Sequence, residues 1–223
     1  MFVGHYSAAL AAKAAEPRAP LWTYVIGCQV LDIAWAAFLT VGVEKVRIDP
    51  SLPGSSLDLY DMPWTHSLPG ALAWSVAAAI AVRLAMKLPV RAAVFVGLTV
   101  FSHWILDLAV HRPDLLLWFG GPKVGFGLWN FPVPEEALEM GLLAVAGVFW
   151  AAWRVRDGRK VWPAGVFLAL LVALQIYAAI PDQAAASNKG VDPVTLGITG
   201  VVAYLVVGLV AWLVERGRGP RAG

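Results

Sequence analysis

Long apolar runs separated by short polar stretches dominate this chain. Six of them approach the roughly 20 residues needed to cross a hydrocarbon core: Leu21–Val43, Leu68–Leu88, Val90–Val110, Glu136–Trp153, Val161–Ile180 and Pro193–Val214. Arg83 and Lys87 shorten the second, where their long side chains can snorkel toward a headgroup layer. The third follows almost at once, so Pro89 must break the helix in a tight turn between Lys87 and Arg91. Ahead of these runs, Phe2–Lys13 reads as a short membrane-inserted helix running toward the Lys13–Arg18 stretch. The expected architecture is all-α: a single polytopic membrane domain over 1–223, with about six transmembrane helices plus the short N-terminal inserted helix. The candidate metal-site half is 1–110, whereas 134–214 supplies three further spans without a recognised motif.

Composition agrees. Hydrophobic residues make up 59% and charged residues 14%, where a soluble domain carries roughly 25% charged; mean hydropathy is +0.69. Eleven Trp residues suit a protein anchored by aromatics at lipid–water boundaries. A net charge of +2 gives no reason to expect nucleic acid. The lone Cys28 rules out an intrachain disulfide and a multi-cysteine zinc site, and reads as a packing residue. The N-terminus does not read as a cleavable signal, because Lys13 and Arg18 follow apolar sequence rather than precede it.

Basic residues sort to alternate loops: Lys13 and Arg18; Arg83, Lys87 and Arg91; Arg154, Arg156, Arg159 and Lys160; then Arg216, Arg218 and Arg221. By the positive-inside rule, both termini of this chain are expected in the cytoplasm of a bacterial inner membrane, with the more acidic loops outside. Two outer loops, Lys45 to Thr65 and Arg112 to Pro134, are long and rich in Gly, Pro and aromatics, and read as packed caps. The Gly120–Gly127 stretch lacks the strand-to-helix setting of a phosphate loop and reads as a flexible cap.

Against this background the ionisable residues inside apolar runs stand out, since each costs at least ~2.5 kcal/mol near the bilayer centre. His103 and Asp107 lie four apart and share one helical face. At 1.5 Å per residue, Asp32 lies about 16 Å into the first span, and His103 about 20 Å into the third with Asp107 about 6 Å beyond it. His66 stands at the mouth of the second span, and His5 reaches mid-membrane if the N-terminal helix is inserted. Three imidazoles and two carboxylates form a borderline-to-hard ligand set suited to a divalent metal, zinc first, with manganese or iron as alternatives. Five ligands exceed one tetrahedral zinc. Either two metals share a bridging Asp, or one group serves as a base or outer support. Each residue also has a purely structural reading: His66 as a histidine beside a cap, Asp32 paired with Gln175, His103 and Asp107 as a pair within one helix, and His5 on the surface. His111, four residues after Asp107 and eight after His103, reads as an additional ligand, a proton shuttle or a helix-boundary residue, the last being favoured. Glu135, Glu136 and Glu139 suit a helix N-terminus, and Glu139, one turn in, can also reach the metal site as a base or supporting carboxylate.

Gly4-His5, Leu31-Asp32-Ile33, Thr65-His66-Ser67-Leu68 and Ser102-His103-Trp-Ile-Leu-Asp107 occur in an order that resembles the bacterial inner-membrane metal-dependent hydrolases long catalogued as a domain of unknown function. The spacing is also similar to the zinc-dependent phospholipase C type. The resemblance covers the first ~110 residues and implies an all-helical fold with a zinc cluster held by His5, Asp32, His66, His103 and Asp107. It departs at Ala34 and Trp35, where the family has Asp and His, and at Asp61, where the signature opens with His. We assign Asp61 and Glu139 as candidate catalytic residues. The expected function is hydrolysis of a membrane lipid or other amphipathic ester or phosphoester by metal-activated water. The alternatives are a non-catalytic metal-binding or structural subunit, as a homo-oligomer or in a membrane complex, and an ion or proton carrier.

Overall fold

The computed structural model describes residues 1–179 and 192–216. Helices α1 (His5–Ala15), α2 (Leu21–Gly27), α3 (Val30–Thr40), α4 (Leu68–Ala85), α5 (Val90–Val110), α6 (Pro132–Arg156), α7 (Trp162–Ala179) and α8 (Pro193–Glu215) make up most of the chain. Four of them, α4, α5, α6 and α8, are long and apolar enough to cross a membrane. A fifth crossing follows if α2 and α3 count as one bent span. The expected sixth rests on α7, which is apolar but shorter in its described part. Ile180, the loop from Asp182 up to Asp192, and the tail arginines Arg218 and Arg221 lie outside the described residues.

The first span differs from expectation. The continuous helix expected over Leu21–Val43 is broken at Cys28 and Gln29, and its halves meet at 53°. Gln29 opens α3, its carbonyl taking the first helical bond from the Ile33 amide at 2.8 Å. The Cys28 carbonyl is thereby freed for another partner. Turn chemistry is as expected elsewhere: Lys87 takes a left-handed conformation (φ 54°) and Pro89 caps α5.

The all-α expectation also needs a small amendment, because the two long loops fold into hairpins. β1 (Lys45–Ile48) pairs antiparallel with β2 (Leu57–Asp61), and β3 (Leu115–Leu116) with β4 (Lys123–Val124). The second hairpin clamps the end of α5: the Phe126 amide donates to the Leu108 carbonyl at 2.8 Å and the Gly127 amide to the His111 carbonyl at 2.7 Å. These are carbonyls that a helix end leaves without partners. Gly125 is a closely packed residue here, because a Cβ would lie 2.2 Å from the Arg112 carbonyl oxygen. Its lack of a side chain serves that approach rather than flexibility.

α5 is the central helix. Half of its apolar stretch is covered by protein, against 17% for α4, which presents apolar side chains outward. α1 lies between α5 and α6, and α3 packs along α8. Two apolar clusters fill the interior. One, around Leu10, Tyr24, Val96 and Trp150, lies toward the basic loops; the other, around Leu31, Val100, Trp104 and Leu115, lies under the hairpins. The α3–α8 seam is close: a Cβ at Gly197 would sit 2.3 Å from the Ala36 carbonyl oxygen, so the helices touch backbone to side-chain position. Gly197→Ala is therefore expected to cost about 1–3 kcal/mol through overpacking, read as a lowered thermal unfolding midpoint in detergent. Gly141→Ala, with open space at its Cβ, serves as the unaffected control.

Candidate metal centre

Four elements deliver side chains to one place at the hairpin end. α1 contributes His5 from its first residue, α3 contributes Asp32 from its first turn, the segment before α4 contributes His66, and α5 contributes His103 and Asp107. The five residues expected as ligands come together. Within 4.8 Å sets of ligand atoms, His5, His103 and Asp107 form one group and Asp32, His66 and His103 another.

Asp107 is the hub. Its Oδ1 lies 3.1 Å from His5 Nε2 and 3.3 Å from His111 Nε2, and its Oδ2 lies 3.0 Å from His103 Nε2 and 3.7 Å from His66 Nε2. The Met1 backbone nitrogen is also 3.1 Å from Oδ1. Asp32 Oδ1 is 3.4 Å from both His66 Nε2 and His103 Nε2, while its Oδ2 accepts from the Tyr204 hydroxyl at 2.8 Å. The His5 and His103 rings stack in parallel, with centroids 3.7 Å apart.

The outer nitrogens of three histidines are tied away from the cluster. His103 Nδ1 meets the Cys28 carbonyl at 2.7 Å, which only accepts, so the proton is on Nδ1. His66 Nδ1 meets Thr65 Oγ1 at 2.8 Å; Thr65 already donates to Glu44 Oε2 at 2.6 Å, so Nδ1 donates here too. His111 Nδ1 donates to Asp114 Oδ1 at 2.8 Å. In each ring Nε2 is then the nitrogen that faces the carboxylates. Anchoring of the far ring nitrogen by a carbonyl, hydroxyl or carboxylate is how metal-binding histidines are oriented.

The cluster does not satisfy itself. His5 Nδ1 and Nε2, His103 Nε2 and Asp107 Oδ2 are all buried without a hydrogen-bond partner, although His103 and Asp107 approach within 3.0 Å. Buried polar atoms left unpaired cost about 1–3 kcal/mol each. A cation among these lone pairs meets that need, so the donor set fits a divalent metal. Asp32 is the one expected ligand on an open side: its side chain is 17% exposed against 0–3% for the histidines and Asp107.

The two candidate catalytic residues are placed differently. Glu139 is buried, and its two oxygens accept from the Phe2 and Gly4 amides at 2.7 and 2.8 Å, fixing the segment that presents His5. Asp61 lies at the end of β2, outside the cluster, paired with Lys45 at 3.4 Å. Gln175, the expected partner for Asp32, bonds Glu136 instead, and Tyr204 takes its place. Tyr204, Glu44 and Asp114, with its bond to His111, went unread in the sequence. For Tyr204 a signal was present: a phenol eleven residues into an apolar span needs a polar partner.

No family model, curated protein or solved structure matches this chain.

Thr65→Val removes the acceptor behind His66 while keeping its shape. Metal affinity, measured by competition with a chromophoric chelator, is expected to fall ten- to a hundredfold.

Proposed function

We propose that this protein is a membrane-embedded metal-dependent hydrolase acting on a lipid or other amphipathic ester or phosphoester. The observation that carries the reading is the shared orientation of His66, His103 and His111, each with Nδ1 engaged outside and Nε2 turned to Asp107 or Asp32. Buried imidazoles arranged for structure alone pair both polar edges; here His103 Nε2 and both ring nitrogens of His5 are left without a hydrogen-bond partner inside the cluster.

His5, Asp32, His66, His103 and Asp107 are the residues that would hold the metal, with zinc as the first choice and manganese or iron as alternatives. When bound, such an ion supplies Lewis acidity and lowers the pKa of a coordinated water toward neutrality. The chain's own residues do the rest. Glu139 holds the His5 segment in place, and the Cys28 carbonyl and Thr65 hydroxyl orient two rings. Asp32, which accepts from the Tyr204 hydroxyl, would line the side from which a substrate enters. The hairpins and the buried cluster beneath them keep bulk water from the remaining sides.

A lipid substrate fits the depth of the site in the proposed orientation, with both termini cytoplasmic and the hairpins on the outer side of a bacterial inner membrane. The cluster then stands between the midplane and the outer face, just below the headgroup–acyl boundary where a lipid ester or phosphoester lies. A carrier would need a polar path continuing to the basic end; the buried cluster around Leu10, Val96, Trp150 and Phe167 toward that end is apolar, and the charges there, Lys13, Glu16 and Glu215, are ion-paired.

The double variant His103→Ala/Asp107→Asn is expected to lose stoichiometric metal by elemental analysis, together with any hydrolysis of a lipid ester panel, while keeping its helical circular dichroism. Full metal retention in that folded variant would refute the site.

A further inference from the structure

Five donors converge at the hairpin end, but they do not fit around one ion. Approach within 4.8 Å gathers His5, His103 and Asp107 in one set and Asp32, His66 and His103 in another; neither set holds His5 together with Asp32 or His66. Nitrogen and oxygen donors of one zinc, each about 2.0–2.2 Å from it, stand no more than about 4.4 Å apart. A single ion therefore serves one set or the other, and each set has its own unmet need. An ion confined to the Asp32 set leaves His5 buried with neither ring nitrogen hydrogen-bonded. An ion confined to the His5 set leaves the Asp32 carboxylate facing His66 at 3.4 Å, longer than the about 2.7–2.9 Å of a charge-assisted hydrogen bond.

Between the sets, His103 has one nitrogen to give, since its Nδ1 is held by the Cys28 carbonyl. Asp107 has two oxygens. Its Oδ2 lies 3.0 Å from His103 Nε2 and 3.7 Å from His66 Nε2, toward two members of the Asp32 set. Its Oδ1 lies 3.1 Å from His5 Nε2 and 3.3 Å from His111 Nε2. His111 stands outside both sets, yet it comes nearer to Oδ1 than His66 does to Oδ2. We propose that the centre holds two divalent ions bridged by Asp107, with His111 as an additional ligand. Asp32, His66, His103 and Asp107 Oδ2 give the first ion four protein donors, the closed set of a tetrahedral site. His5, His111 and Asp107 Oδ1 give the second ion three, which leaves it a position for water or substrate. The Asp114 carboxylate behind His111 Nδ1 then plays the part that the Cys28 carbonyl and the Thr65 hydroxyl play behind the other two rings. The inference rests on the metal-binding part of the proposed function and is independent of hydrolysis.

The test uses the full chain in nanodiscs, stripped by chelator, reloaded with zinc or manganese and desalted. Elemental analysis is expected to give two zinc ions per chain. The manganese-loaded protein is expected to show the low-temperature electron paramagnetic resonance spectrum of an exchange-coupled pair. His111→Phe keeps an aromatic ring against Trp129; it is expected to hold one ion and to show only the signal of isolated manganese. His5→Gln is expected to do the same, which covers the case of a His111 variant that misfolds at the hairpin. One ion per wild-type chain, two ions without magnetic coupling, or two ions retained in a folded His111→Phe or His5→Gln protein overturns the proposal. A wild type that binds no ion overturns the metal reading as well, whereas a wild type with one ion overturns the bridged pair alone.

Discussion

A single carboxylate, that of Asp107, sets the terms for the hairpin half of the molecule. It is 1% exposed, and four imidazoles and a backbone nitrogen crowd its two oxygens. An isolated charge withdrawn from water in this way carries a penalty of several kcal/mol, which must be met by groups brought from far along the chain. α1, the segment before α4, and α5 itself each end or begin within reach of it. The helix lengths and loops of the fold therefore read as a means of making those three ends coincide.

The two ends of the bundle solve different problems. At the basic end the interactions are self-contained: Lys13 bonds the Ala19 carbonyl and pairs with Glu215 at 2.9 Å, Glu215 accepts from the Leu21 amide, and Glu16 is held by Arg18 and Arg91. These contacts fasten α1 to α2 and α8. At the hairpin end, polar groups are tied on their outward side and left open inward. Glu44 takes the Trp64 and Thr65 amides and the Thr65 hydroxyl, spending its charge on the loop that presents His66. A closed latch at one end and an open ring at the other give the bundle a stability end and a chemical end.

Much of this was legible beforehand, and the reason is the cost of burying charge. In a chain so apolar, His5, Asp32, His66, His103 and Asp107 could be singled out without knowing the fold, and helical rise alone set them at compatible depths. Four of the expected spans were readable from apolar length. What escaped was whatever depends on the main chain or on tertiary pairing. The break between α2 and α3 has no proline or glycine pair at the bend itself, only Gly27 before it. The hairpins formed from loops whose glycines suggested looseness, whereas Gly125 is required by close approach. Asp61 was drawn to the site by its place in a motif, but strand pairing set it opposite Lys45. Glu139 was read as a helix-start acid or a base or supporting carboxylate for the metal site, and the amides of Phe2 and Gly4 take both its oxygens.

The bend in the first span has a wider meaning. Had the helix run straight through, the oxygen of residue 28 would be consumed by the amide four positions on, and the His103 ring would have lost its anchor. The kink converts an ordinary peptide oxygen into a tautomer lock for a residue 75 positions away. Such a lock belongs to the path of the chain rather than to any side chain. Proteins sharing this design can therefore vary freely in amino-acid type at the bend, and a comparison of letters would pass over the feature that keeps the imidazole aimed.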